Sequence, residues 1–294
     1  MNRIIKLVLL LILAPSCVSE IEIDAPAFNP QVVVNSLINP DSTFSVALCY
    51  NMGLNGSGIS TIDNAQISLW VNETLYGNLQ PTGNGYYIGN FYPSAEAVYT
   101  IKISLANNEI LSSTYIPAHP VFLVLNKEDS AVIDSDGEYQ NRCTIKIFDN
   151  DTERNYYEVV FKVIESDPET NNINTYFPYI NSSHQVIQNE GIFDNRGSMA
   201  FSDSLFNGGT VEIPFCFHTI SWNSSESNFH QPYKLVVIVN STSKEYYQYK
   251  KSLWNQNNNN NGIWSGQPMN IYSNISGGLG IFAGYCSIES DTIF

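Results

Sequence analysis

Four histidines, His119, His184, His218 and His230, are the side chains of this 294-residue chain best suited to proton transfer near neutral pH. None pairs with another at the helical spacing that grips a metal, and no G-x-S-x-G, H-E-x-x-H or phosphate-loop pattern accompanies them. Ser241 and Lys244 form S-x-x-K, but they fall where a helix begins, and capping accounts for them more simply. The turns Asp134-Ser135-Asp136-Gly137-Glu138 and Asp149-Asn150-Asp151 offer oxygens of the kind calcium takes, yet neither completes an EF-hand loop. Asp and Asn in turns ordinarily bond their own backbone. With no nucleophile and base to assemble, the expectation is a protein that is not an enzyme and takes no metal or cofactor. Recognition falls instead to three tryptophans. Trp70 lies on the polar side of its strand, and Trp222 and Trp264 sit in loops rich in Ser and Asn. Such rings beside amides and hydroxyls suit sugar faces, peptides or a partner protein.

One further residue is placed for chemistry on itself. Two cations, Arg3 and Lys6, precede the apolar run Leu7 to Leu13, and Ala14-Pro15-Ser16 leads directly to Cys17, which is the layout of a secretory signal. The run is too short to span a bilayer, which takes about 20 residues. The site resembles a bacterial lipobox, from whose commonest form Pro15 departs; Cys17 would then begin the mature chain and carry acyl groups on its sulfur and amine. Each buried methylene contributes roughly 0.8 kcal/mol, so two or more chains hold where one barely does. No other segment approaches the apolar length of a membrane helix. Glu20, Glu22 and Asp24 follow as a small acidic cluster, resembling the signal that sends some lipoproteins to the outer face of the outer membrane.

Composition bounds the partners. Loss of Arg3 and Lys6 with the leader takes 13 cations to 11, against 28 acids. That surface repels phosphate backbones, so nucleic acid is not an expected partner. Charged residues are 14% of the chain and aromatics 13%, as in a β-rich extracytoplasmic protein.

The elements that must position these residues are mainly strands. Phe44, Val46, Leu48 and Tyr50 alternate with Ser45, Ala47 and Cys49; Ala65, Ile67, Leu69 and Val71 with Gln66, Ser68 and Trp70; and Tyr99, Ile101, Ile103 and Leu105 with Thr100, Lys102 and Ser104. Turn residues lie between them at Asn39-Pro40-Asp41, Asn55-Gly56 and Pro81-Thr82-Gly83-Asn84-Gly85. Short strands at this spacing predict an immunoglobulin-like sandwich. Pro117-Ala118-His119-Pro120 marks the expected domain boundary.

Beyond it, Tyr157, Val159, Phe161 and Val163 alternate, while Lys234 to Val239 is apolar on both faces and predicts a central strand. Thr242 and Glu245 have capping-box spacing for one helix carrying Tyr246, Tyr249 and Leu253, and the Asn-rich tract from Asn255 to Gly262 reads as a surface loop. Cys49, Cys143, Cys216 and Cys286 each sit in a strand-like run; free thiols and disulfides both remain open. The division is a signal peptide over 1–16, an acylated tether over 17–27, an immunoglobulin-like β-sandwich over 28–117 and a β-rich domain over 121–294 with a helix near 243–255.

At the carboxyl end, Pro268 to Tyr285 (PMNIYSNISGGLGIFAGY) resembles the closing signature of the bacterial lipoprotein family catalogued as domain of unknown function 4249. SKEYYQYKKSLW upstream, and DNAQISLW, GNGYYIGNFYP and AVYTIKISL in the first half, fall in that family's order. The resemblance implies an outer-membrane lipoprotein of a Gram-negative bacterium, often encoded beside a TonB-dependent receptor, with no established catalytic residues. Physically, Gly277-Gly278 and Gly280 read as a tight turn opening a buried closing strand anchored by Ile275, Leu279, Ile281 and Phe282. The expected function is a surface lipoprotein serving as ligand-capture or accessory subunit of a TonB-dependent transporter, held in lipid through Cys17. A structural or adhesive envelope protein is the alternative, and a hydrolase is disfavoured.

Replacing Cys17 by Ala is expected to release the protein from membranes or to leave the precursor uncleaved, as fractionation after a high-salt wash would show. A mature Cys17→Ala protein that stays on the membrane would rule out acylation as the main anchor.

Overall fold

The alternating apolar residues of the first half become strand faces sealed from water: Phe44, Val46, Leu48, Ile67, Leu69, Tyr99, Ile101 and Ile103 are each at most 1% exposed. The computed structural model describes residues 28–53, 58–106, 108–149, 153–166, 172–194, 197–219, 233–259 and 269–293. In chain order the first strands are β1 (Val32–Ile38), β2 (Ser45–Tyr50), β3 (Ser60–Thr61), β4 (Gln66–Val71), β5 (Thr74–Asn78), β6 (Gln80–Gly83), β7 (Tyr86–Ile88), β8 (Ala97–Leu105) and β9 (Asn108–Ile116). They are followed by β10 (Val121–Ile133), β11 (Tyr139–Phe148), β12 (Tyr156–Ser166), β13 (Ile173–Tyr176), β14 (Ile180–Asn181), helix α1 (Gln185–Glu190), β15 (Ile192–Asp194), β16 (Ser198–Ser202) and β17 (Thr210–Phe217). The chain closes with β18 (Tyr233–Thr242), helix α2 (Lys244–Asn259) and β19 (Leu279–Glu289).

These strands form three sheets. The longest runs β15-β16-β12-β18-β19-β1-β2-β7-β6, with β13 beside β12 and β3 beside β2. Against one end packs the four-stranded sheet β5-β4-β8-β9, and against the other β10-β11-β17-β14. Each contact encloses a hydrophobic core. Phe44, Leu48, Ile67, Tyr87 and Tyr99 fill the first, and Phe161, Phe201, Phe215, Phe217 and Leu235 the second. The fold is mainly β and sandwich-like, as expected, and Lys234 to Val239 lies centrally, between β12 and β19.

The two halves are not separable at residue 120. Contacts divide the chain into Met1–Pro30 and a second unit, Gln31–Phe294, that takes in both sandwiches. The reason is β19, which follows β18 in the sheet and then pairs with β1 in parallel, Val34 opposite Gly280 and Ile38 opposite Gly284. Its side chains alternate between layers. Phe282 and Cys286 enter the first core, whereas Ile281 and Ala283 face Tyr246 of α2 on the opposite side. Asn274 fixes the approach to β19 by accepting from Phe282 N (3.0 Å) and donating to Phe282 O (2.7 Å).

Helix α2 begins one residue later than its spacing suggests. Ser243 Oγ accepts from Tyr246 N at 3.2 Å and caps the helix, while Thr242 is tied to β12 and Glu245 to Thr114 of β9. The helix also continues to Asn259, through residues read as loop. Propagation needs only one hydrogen bond per added residue, so a docked helix extends into weak formers. Beneath it, Glu158 on β12 is 2% exposed and fully partnered. It accepts from Ser198 Oγ (2.6 Å), Asn240 Nδ2 (2.9 Å) and Tyr246 OH (2.8 Å), and pairs with Lys250 of α2. Burial pushes its carboxyl up, but Lys250 and these donors outweigh burial and hold it below the ordinary carboxylate range. Among the described residues no helix is long and apolar enough to cross a membrane.

The closing glycines act by close approach as much as by dihedral angle. Gly277 (φ 84°) and Gly280 (φ 106°) occupy the left-handed side of φ, whereas Gly278 does not. A Cβ on Gly278 would instead meet Val32 O at 2.8 Å, one on Gly280 would meet Val34 O at 2.0 Å, and one on Gly284 would meet Tyr115 O at 2.6 Å. Leu279, expected as an anchor, is 36% exposed; Ile275 and Phe282 take that role. Gly280→Ala should therefore cost roughly 3 kcal/mol or more, combining dihedral strain with backbone collision, a fall of about 6–12 °C in Tm. Gly137→Ala is the control: its φ is 84° with nothing within 4 Å of the new carbon, so only about 1 kcal/mol of strain is expected. Equal losses in thermal denaturation would mean that approach to β1 is not the constraint.

Candidate functional site

Trp70 is built onto a rigid face. Its neighbours Ile67 and Leu69 are fully buried in the first core, and alternation turns Gln66, Ser68 and Trp70 to the outside of the β5-β4-β8-β9 sheet. Cross-strand register sets Leu75, Trp70, Thr100 and Ser113 in one row, and Asn78, Ser68, Lys102 and Leu111 in the next, with Val98 and Tyr115 beside them. Leu75 is 59% exposed, and Val98, Leu111 and Tyr115 are exposed as well. The polar members bond across strands, Thr100 Oγ1 with Ser113 Oγ at 2.9 Å and Ser68 Oγ to Asn78 Oδ1 at 2.8 Å. Among the described residues the Trp70 indole N–H has no hydrogen-bond partner. Its outward neighbours were legible in the alternation of AVYTIKISL, but their grouping around Trp70 depends on register between strands far apart in sequence.

Charge is sparse on this sheet. The four strands hold one cation, Lys102, and one anion, Glu109, paired at 2.6 Å. On a chain with 28 acids and 13 cations this is a locally neutral patch.

None of the other sequence-selected residues that are described assembles with it. Cys17, Trp222, Trp264 and His230, and the acids Glu20, Glu22 and Asp24, lie outside the described residues. His119 is exposed between β9 and β10, and His184 caps α1 by accepting from Val186 N. His218 Nε2 lies 3.1 Å from Asp134 Oδ2 and 3.0 Å from Gln140 Nε2, with no nucleophile beside it among its described contacts. Asp134 Oδ1 accepts from Asp136 N and Glu138 N, so the first acidic turn bonds its own backbone, and these bonds lead the influences that lower its pKa. Ser241 Oγ donates to Ala118 O. Among the described residues no cluster of three or more His, Cys, Asp or Glu could hold a metal. Cys49, Cys143, Cys216 and Cys286 are free thiols, and burial pushes those of Cys143 and Cys286 up to about 12, which keeps them protonated and unreactive.

One buried acid escaped the sequence reading. Asp203, just after β16, is fully buried; its Oδ2 accepts from Asn155 N at 2.7 Å, but among the described residues Oδ1 has no hydrogen bond, and Arg154 Nε stands 3.9 Å away. Burial, then the charge of Asp149, raises its pKa above the ordinary value. A carboxyl raised in the folded state stabilises fully below its unfolded pKa, and that contribution is lost as pH rises through the folded one. Asp203→Asn is therefore expected to be more stable than wild type near pH 7.5, with the advantage vanishing towards pH 4 in melting curves. A difference independent of pH would show that ionisation of Asp203 is not what strains the site.

Known proteins supply little beyond kinship. No curated protein matches the chain. Among solved structures, the major pilin subunit of Bacillus cereus aligns at 9% identity and a TM-score of 0.20, over 73% of this chain and 64% of the pilin. A β-glucuronidase of Bacteroides uniformis aligns at 10% identity and a TM-score of 0.18, over 66% of this chain and 30% of the enzyme. The chain thus spans less than two thirds of either neighbour. The family model described as domain of unknown function (DUF4249), in contrast, matches residues 18–290, from the residue after Cys17 to the residue after β19, and the chain therefore belongs to that family.

Proposed function

We propose that this protein is an outer-membrane lipoprotein, anchored through Cys17 and facing the cell exterior, that serves a TonB-dependent transporter as a non-enzymatic capture or accessory subunit. The observation that carries this reading is the neutral, aromatic-centred face around Trp70 on an otherwise acidic chain. A sheet face backed by a close-packed core offers binding area with little ordering cost. The leader supports the address: a signal ending on a cysteine, followed by Glu20, Glu22 and Asp24, suits a protein tethered and exported. A tether confines the face to a thin shell above the membrane, where even weak binding to a receptor mouth becomes effective by raised local concentration. The TonB-dependent partner itself is drawn from the family resemblance.

Affinity purification of the tagged protein from solubilised outer membrane is expected to recover a TonB-dependent receptor in near-equal amount. Recovery of envelope structural proteins, with no such receptor, would favour a structural or adhesive role instead.

A further inference from the structure

We infer that the outer face of the β5-β4-β8-β9 sheet binds a neutral glycan chain, with Trp70 as the stacking platform. This rests on the reading above that the face is used for capture, and it names what is captured.

Three features of the face select the ligand. Its strands hold no unbalanced charge, because Lys102 and Glu109 neutralise each other at 2.6 Å. An anionic ligand would find no unpaired cation there and would also meet the long-range repulsion of a strongly acidic chain. Next, the face is continuous: Leu75, Trp70, Thr100 and Ser113 follow one another across four strands, at roughly 5 Å per strand. Such a row accommodates an extended chain of rings better than a compact molecule, which needs a cleft to bury most of its surface. Finally, the apolar and polar groups are interleaved. Trp70 is flanked by Leu75 on one side and by the Thr100 hydroxyl on the other, with the Ser68–Asn78 pair in the next row.

That interleaving separates a glycan from a protein partner. A dry protein interface centred on Trp70 would bury the Thr100–Ser113 and Ser68–Asn78 pairs, each with lone pairs or protons still unused, and every such group left unsatisfied is penalised. A sugar ring presents both an apolar face of C–H groups to the indole and hydroxyls at its edge that donate and accept. It can therefore cover Trp70 while satisfying the hydroxyls, the Asn78 amide and the indole N–H together. Ile67, Leu69, Ile101 and Ile103, sealed behind the face, keep these groups in place before binding.

The test is native affinity electrophoresis of the full-length, detergent-solubilised protein in gels containing glycogen, xyloglucan, mannan or laminarin, with polygalacturonate as the charged control. At least one neutral polysaccharide is expected to retard the wild type, and Trp70→Ala to weaken that binding at least tenfold while its Tm stays within about 2 °C of wild type. Should Trp70→Ala fail to fold, the milder Ser68→Ala/Ser113→Ala pair is expected to weaken binding severalfold at unchanged Tm. Retardation by none of the neutral polymers, by polygalacturonate alone, or equally in wild type and variants would overturn the inference. If no polysaccharide binds but Trp70→Ala abolishes recovery of a TonB-dependent receptor, the face docks protein; the glycan assignment then fails while the transporter reading stands.

Discussion

The parallel pairing of the last strand with the first is the constraint on which the remaining architecture depends. It requires β19 to pass within backbone contact of β1 on one side and β9 on another, and only residues without a Cβ can do so at Gly278, Gly280 and Gly284. Once β19 is seated, one sheet runs continuously through both sandwiches, Phe282 closes the first core, and Ile281 and Ala283 form the floor on which α2 rests. Sequence-distant ends of the chain are thereby locked together, so the two cores are coupled and do not behave as beads on a string. Such long-range parallel pairing is slow to form, because the loop entropy is lost before any contact repays it.

The helix is held on that floor by a buried ion pair that would be a liability if it were incomplete. Removing Glu158 and Lys250 from water is costly, and their attraction offsets the cost only because Ser198, Asn240 and Tyr246 satisfy the remaining lone pairs. Tyr247, packed with Ile192 and Ala200, adds apolar contact on the adjoining strands. The network fixes where α2 sits. It thus seals one side of the central strands while the two four-stranded sheets cover the other.

Beside the uncovered outer face of β1, β2 and β7, where Leu37, Tyr86 and Ile88 are exposed, the protein presents the outer faces of the two small sheets. Those two faces differ in how many charges their strands carry. The strands of the second small sheet carry Lys127, Glu128, Asp129, Arg142, Lys146 and Glu212, whereas those of the first carry only Lys102 and Glu109. Sparse charge around the half-buried Trp70 is thus a local property of one small sheet.

Much of this was written locally. Alternation in the runs around Val46, Ile67, Ile101 and Phe161 sets which side chains are buried, because a strand must turn successive residues to opposite faces, and the same rule placed Trp70 outward. The turn at Asn84-Gly85, both at positive φ, and the central position of Lys234 to Val239 were equally legible. The signal ending at Cys17 is likewise a property of adjacent residues. What tertiary structure alone decided are the pairings between distant segments: Leu75 and Thr100 flanking Trp70, Glu158 finding Lys250, Asp203 losing its solvent, and β19 joining β1. Local sequence specifies period and direction, but register and partner are chosen by the whole set of surfaces that must be buried at once. For that reason a residue's face could be read from its neighbours, whereas its company could be read only from the fold.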